Sequence, residues 1–367
     1  MSCTICRLPF VLDPRSPTEC IDIISSPIPE HVLPQGTLTK HQYAYFATGI
    51  YIGTRIRGLV RKMVFIASNV TTRHRMETKT AFQWETSGGT LFMMHVTCAD
   101  FLRLVFDAKD TNAKSLARVC QIEEVVGKVQ GGANAGWLPL VRYEAVGEKV
   151  DLAPFWSHQS DSPSMGSNVF DWTRLKTSKY KWLLNRPDAF PKFAAEVDAK
   201  RLPWGNDFEV GEGDMLSHRP LELLCLLLPY LPPRSYTMLA STSRLFRYHA
   251  LTIFQPHARD LVIALRWAIP TQREYEIASE DVRSIMASED AKLSPVEGDW
   301  FGYLSKVHRS KGMRVRRWIL SVCEEVKRVY DERLPGSPYA MTPGGGRTDI
   351  AQKLEEKVGM MLRTLPE

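Results

Sequence analysis

The chain has 367 residues, 44 % apolar and 24 % charged, with 23 Gly and 23 Pro. That length supports two or three compact units, and the composition excludes collagen-like and wholly disordered chains. The net charge is +6, and residues 301–330 hold eight Lys/Arg against two Glu, so the whole excess sits in one segment.

The seven cysteines are odd in number and mostly scattered. Met1–Phe10 does not read as a secretory signal. The longest apolar run, Leu221–Leu231, falls short of the roughly 20 residues a membrane span needs. These features predict reduced thiols in a cytoplasmic or nuclear protein that crosses no membrane.

In chain order, Ala44–Ile52 and Met63–Val70 are short apolar or β-branched runs. Thr80–Trp84 and Thr90–Val96 flank Ser87-Gly88-Gly89 as the strands of a hairpin would. Phe101, Leu102, Val105 and Phe106 then recur at helical spacing, and Leu116, Val119, Cys120 and Ile122 continue until Gly131-Gly132. Residues 1–149 are thus predicted to mix strands and helices. Residues 150–214 read as an ordered connecting segment, Ser-rich at 157–167, with exposed aromatics Phe155, Trp156, Phe170, Trp172, Trp182 and Trp204.

From Ser217 the pattern is helical. Residues 216–256 form one predicted helical module and 257–334 a helical C-terminal region, with helices over Arg259–Ile269 and Met313–Leu334. Residues 335–367 are a flexible joint at Pro343–Gly346 and a last amphipathic helix over Thr348–Leu365. The expected class is α+β: a mixed N-terminal region, a helical module and a mostly helical C-terminal region.

Pro220–Leu231 is apolar on two sides. Leu224, Leu227, Leu228 and Leu231 fall at i, i+3, i+4 and i+7, and Leu223, Leu226 and Tyr230 form a second face. One face can pack on its own domain, and the other needs more chain or another protein. Pro220 suits a first helical turn, Pro229 should tighten or end the last one, and Pro232-Pro233 forces a break. Arg234–Tyr248 starts a new helical pattern with Tyr236, Leu239, Leu245 and Phe246.

These residues resemble the F-box. Pro220, Glu222, Leu223, Leu224, Leu227, Leu228 and Tyr230-Leu231 are followed by Tyr236, Leu239, Ser243-Arg244 and Phe246-Arg247 at the spacing of that family. Arg219 stands where a Leu is usual, and Phe254 is the nearest aromatic where a Trp often follows the third helix. The flanking sequence is similar to that of fungal F-box proteins. The resemblance implies a three-helix module that binds the Skp adaptor and, through it, the cullin of a ubiquitin ligase. The chain would then be a substrate receptor with no catalysis of its own, holding a protein client whose identity the sequence does not give. Pro220, Leu221, Leu223, Leu224, Leu227, Leu228, Leu231, Leu239 and Phe246 are the candidates for its core and docking surface. An ordinary buried helical hairpin is the plainer alternative.

Cys3-x-x-Cys6 and His95-x-x-Cys98 are two half-sites with the spacing of metal ligands. His95 closes a predicted strand and Cys98 opens a predicted helix, the layout of a treble-clef zinc site. Three thiolates and one imidazole suit tetrahedral zinc, in a closed and hence structural site. No cofactor is otherwise required. Cys20, His31 and His41 are rival ligands, and a catalytic dithiol or two unrelated pairs of free thiols are the alternatives.

Phosphate-loop, nucleophile-elbow and zincin motifs are absent from the sequence, so no enzyme activity is expected. The basic stretch Lys306–Arg317 reads as a solvated helix face. Its alternative is a zinc-containing nucleic-acid binder using those cations. A scaffold that binds the adaptor without presenting a client is the other alternative.

Overall fold

The computed structural model describes residues 2–9, 36–39, 42, 46, 50–56, 63–66, 92–108, 114, 118, 121–127, 137–159, 167–202, 215–277, 297–340 and 349–364. The predicted hairpin turn at Ser87–Gly89, the stop at Gly131-Gly132, Trp204 and the joint at Pro343–Gly346 lie outside these residues. The chain divides into two compact units, Met1–Arg186 with Arg317–Glu367, and Pro187–Arg316. This division differs from the sequence boundaries at 149/150, 214/216 and 334/335. Most of one long helix, from Arg317 on, belongs with the N-terminal residues, a long-range pairing that local periodicity does not encode.

In the first unit, β1 (Ile50–Ile56), β2 (Met63–Ile66) and β3 (Phe92–His95) form an antiparallel sheet of order β2-β1-β3. Ile50 pairs with His95 and Gly53 with Phe92, so His95 ends its strand at a fixed register. Helix α1 (Val96–Val105) starts at the next residue and buries Cys98, Ala99, Phe101 and Leu102. Helix α2 (Ile122–Val126) follows. A hairpin of β4 (Trp156–Gln159) and β5 (Ser167–Phe170) leads into α3 (Trp172–Thr177), whose N-terminus is capped by the Asp171 carboxylate accepting from the Arg174 amide.

The aromatics of this segment are not exposed as predicted. Phe155, Phe170, Trp172 and Trp182 are buried, and Trp156 is half-buried. They pack edge-to-face rather than face water, which stabilises aromatic pairs beyond the area they bury.

The second unit is helical among the described residues. It holds α4 (Leu221–Leu227), α5 (Pro233–Thr242), α6 (Arg244–Leu251), α7 (Gln255–Ala264), α8 (Gln272–Ile277) and α9 (Trp300–Arg309). Pro229 sits in a 3-10 turn, Leu228–Tyr230, that closes α4. The single helical pattern read over Arg234–Tyr248 is two helices, broken where extended Ser243 accepts from the Phe246 amide and caps α6. The helix expected over Arg259–Ile269 runs earlier, beginning beside Pro256 and ending before Arg266, whose φ of +56° is left-handed.

Helix α10 (Lys311–Arg333) gives residues up to Arg316 to the second unit and the rest to the first. Its Trp318, Val322, Cys323 and Val326 are buried, and Tyr330 stacks edge-on against Phe106. The chain closes with α11 (Asp349–Thr364). The described chain is therefore mostly helical, with its C-terminal region wholly so and its strands confined to residues before 171.

Candidate metal centre and docking face

Two short segments build the first site. Residues 2–9 fold back on themselves: Ser2 bridges Pro9, the Cys3 amide donates to the Leu8 carbonyl at 2.9 Å, and the Arg7 amide donates to the Cys3 carbonyl at 2.8 Å. That turn points Cys3 and Cys6 to the same side. The β3–α1 junction supplies His95 at the strand end and Cys98 one helical turn later. The backbone joins the halves, because the His95 amide donates to Cys3 Sγ at 3.4 Å.

The four ligand atoms lie within 4.8 Å of one another, and all four residues are buried. His95 Nδ1 is 3.2 Å from Cys6 Sγ, so this ring nitrogen faces the thiols. A tetrahedron with Zn–S near 2.3 Å and Zn–N near 2.0 Å has ligand–ligand separations of about 3.5–3.8 Å. The cluster can thus close on one ion by sub-ångström shifts of side chains. It is able to bind one metal ion.

Burial pushes the thiols of Cys6 and Cys98 well up, and the neighbouring Cys3 sulfur raises them further. Burial acts on Cys3 in the same sense, but hydrogen bonds from Cys6, Cys98 and His95 overcome it and hold Cys3 well below the ordinary thiol range. Cys3 is therefore the thiol of the three that ionises most readily, and its charge opposes ionisation of the other two. A dication removes that repulsion and lets all three ionise.

Aromatic side chains wall the site. Phe46 stands edge-on to His95 at 5.5 Å, Trp172 to Phe46 at 5.4 Å, and Phe170 to Trp172 at 5.0 Å. The segment 150–214 read as a connector thus supplies, through Phe170 and Trp172, part of the shell around a ligand. Cys323 of α10 completes the wall, with its Sγ 3.8 Å from the Cys98 carbonyl. Burial raises its thiol as well. Cys323 escaped the sequence reading because it has no partner at ligand spacing. The rival ligands Cys20, His31 and His41 lie outside the described residues.

The second site is the face of α4. Leu224 and Leu228 are buried at 4 % exposure each, with Leu221 and Leu231 half-buried beside them. Leu223, Leu226, Leu227 and Tyr230 are 47, 66, 51 and 84 % exposed. Residues 223, 226, 227 and 230 follow i, i+3, i+4, i+7, so they form one outward row. The sequence reading grouped Leu227 with Leu224 and Leu228, whereas the structure sets it outward with Leu223 and Leu226. With helical steps of about 100°, Leu227 lies nearer Leu223 than Leu224. Of the remaining candidates, Phe246 is buried, Leu239 is half-buried and Pro220 is exposed. Met238 of α5 is exposed too. Beneath, Tyr236 is buried, donates to the Phe254 carbonyl at 3.2 Å, and stacks on His257 and Phe301.

The basic stretch is not uniformly solvated. Arg309, Lys311 and Arg314 are exposed, but Arg316 is fully buried. Its guanidinium makes two bonds to the Glu274 carboxylate, at 2.6 and 3.0 Å, and three to the carbonyls of Pro187, Trp267 and Ile269. All five donors are used. Glu274 also caps α8 reciprocally with Thr271. Arg317 pairs with Glu148 in the first unit. Of the cations assigned to a nucleic-acid face, Arg316 is therefore buried and Arg317 is paired within the protein while still partly exposed.

Among the described residues no helix is long and apolar enough to cross a membrane. The chain matches no protein-family model, no curated protein and no solved structure. The two sites stand on their own chemistry.

Proposed function

We propose that the chain is an F-box-type substrate receptor, with residues 216–256 docking on the Skp adaptor of a cullin–RING ubiquitin ligase. The observation that supports this reading is the outward row Leu223, Leu226, Leu227 and Tyr230, on the very segment that carries the F-box pattern. Such a row is the anchor set of a helix-in-groove interface. Exposed Arg219 and Arg234 border it in sequence, so a second copy of this chain would meet like charges, while an acid-bordered groove would be attracted. The receptor breaks no bond itself. It raises the effective concentration of a client beside the ubiquitin-loaded enzyme.

Co-expression with a Skp-family adaptor, followed by size-exclusion chromatography, tests the reading. A one-to-one complex that is lost in Leu226→Asp, while that variant stays folded, supports it. Absence of a complex with the wild-type chain sinks it.

The same proposal includes one structural zinc ion held by Cys3, Cys6, Cys98 and His95 Nδ1. Thiolate and imidazole are the donors zinc prefers over harder cations, and four protein ligands leave no position open for catalysis. The zinc would pin residues 2–9 to the β3–α1 junction. Purified chain should carry one equivalent of zinc by elemental analysis, and Cys6→Ser should carry far less.

A further inference from the structure

We propose that the segment Trp137–Glu144 is a latch that sets the zinc affinity of the Cys3–Cys6 turn, with Tyr143 as its positioning residue. The inference rests on the zinc reading above.

Two of the four ligands, Cys3 and Cys6, lie in one short turn of residues 2–9. Every conformation open to the turn before metal arrives weakens binding, because ordering it must come out of the coordination energy. The turn's own backbone bonds are few. The latch adds a grip at two points.

The first point is Thr4, between the two cysteines. Tyr143 is buried, and its hydroxyl donates to the Thr4 carbonyl at 2.8 Å while accepting from the Leu138 amide at 3.0 Å. The second point is Arg7, directly after Cys6. Its φ of +58° lies in the left-handed region, which a side-chain-bearing residue adopts only when held there. Its guanidinium lies 5.8 Å from the Trp137 ring centroid and 5.4 Å from that of Tyr143, and it pairs with Glu144 Oε1 at 3.2 Å. One short segment thus holds both the middle of the turn and its exit. The Tyr143 hydroxyl is engaged with two backbone groups, so it acts through the cysteines and not as a ligand.

Outer-shell groups of this kind typically contribute 10–100-fold to metal affinity. The test is competition for zinc between the full chain and a chromophoric chelator of known affinity. Tyr143→Phe keeps the ring and removes only the oxygen. It should still take up one zinc, about 10–100-fold more weakly, with faster amide exchange over residues 2–9 and a melt of the metal-free chain lowered only by the lost Leu138 bond. Glu144→Gln, at a half-exposed position that does not stress the fold, should weaken zinc about two- to fivefold. Unaltered zinc affinity in both variants overturns the latch. So does a Tyr143→Phe chain whose metal-free form is destabilised while its zinc affinity is kept, since that is ordinary structural support. If wild-type chain binds no zinc, or Cys6→Ser binds it equally well, the zinc reading fails first and takes the latch with it.

Discussion

Leu224 and Leu226 sit two residues apart on one short helix, and their exposures of 4 and 66 % predict opposite phenotypes. Truncating a fully buried leucine removes its transfer energy and leaves a cavity, so Leu224→Ala should cost about 2–5 kcal/mol. Leu226 has only a third of its surface to lose, and full burial of such a side chain contributes about 1.5–3 kcal/mol. Leu226→Asp should therefore cost on the order of 0.5–1 kcal/mol. The same aspartate in an apolar groove would be an unpaired buried charge, a penalty of several kcal/mol. Urea denaturation of the full chain and adaptor capture separate the two effects. Leu224→Ala should shift the midpoint strongly with its residual folded fraction still binding adaptor, whereas Leu226→Asp should shift it only slightly and lose capture. A Leu226→Asp midpoint as low as that of Leu224→Ala would mean the outward row is packed within the chain, and the docking argument would fall.

The remaining predictions concern charge, protons and metal. Arg316→Met leaves Glu274 buried without its partner and should cost about 3–5 kcal/mol by urea denaturation. The double variant Arg316→Met/Glu274→Met should recover much of that loss, and equal single and double losses would refute the pairing argument. Burial lowers the pKa of His249 and His257, the latter partly offset by Asp260, so folding disfavours protonation of both rings. Below the unfolded value near 6.5 the unfolded chain takes up protons first, so stability is full above that pH and falls as pH drops toward the folded values. A urea midpoint unchanged between pH 7.5 and 5.5 would contradict this. Removal of metal by a strong chelator should release one equivalent of zinc and open residues 2–9 to protease, while a chelated chain with wild-type protection there would remove the structural role.

The sequence by itself determined what depends on neighbours a few residues apart. Cys3-x-x-Cys6 and His95-x-x-Cys98 each place two donors one turn apart, and Pro229 marks the end of a helix whatever the fold around it. The apolar periodicity of α4 and α10 is of the same kind, since a helix repeats every 3.6 residues in any context. Only the tertiary structure decided the rest. Eighty-nine residues separate Cys6 from His95, and it is the β1–β3 register and the fold-back of residues 2–9 that bring their side chains to 3.2 Å. On α4 the leucines repeat nearly all round, so periodicity carried two phases and packing chose the one that leaves Leu227 outside. The aromatics at 155–182 and the cation of Arg316 look like surface residues in sequence. Both are buried, because partners distant in sequence offer rings to the first and a carboxylate and three carbonyls to the second. Burial is a sum over such distant neighbours, and no local window contains them.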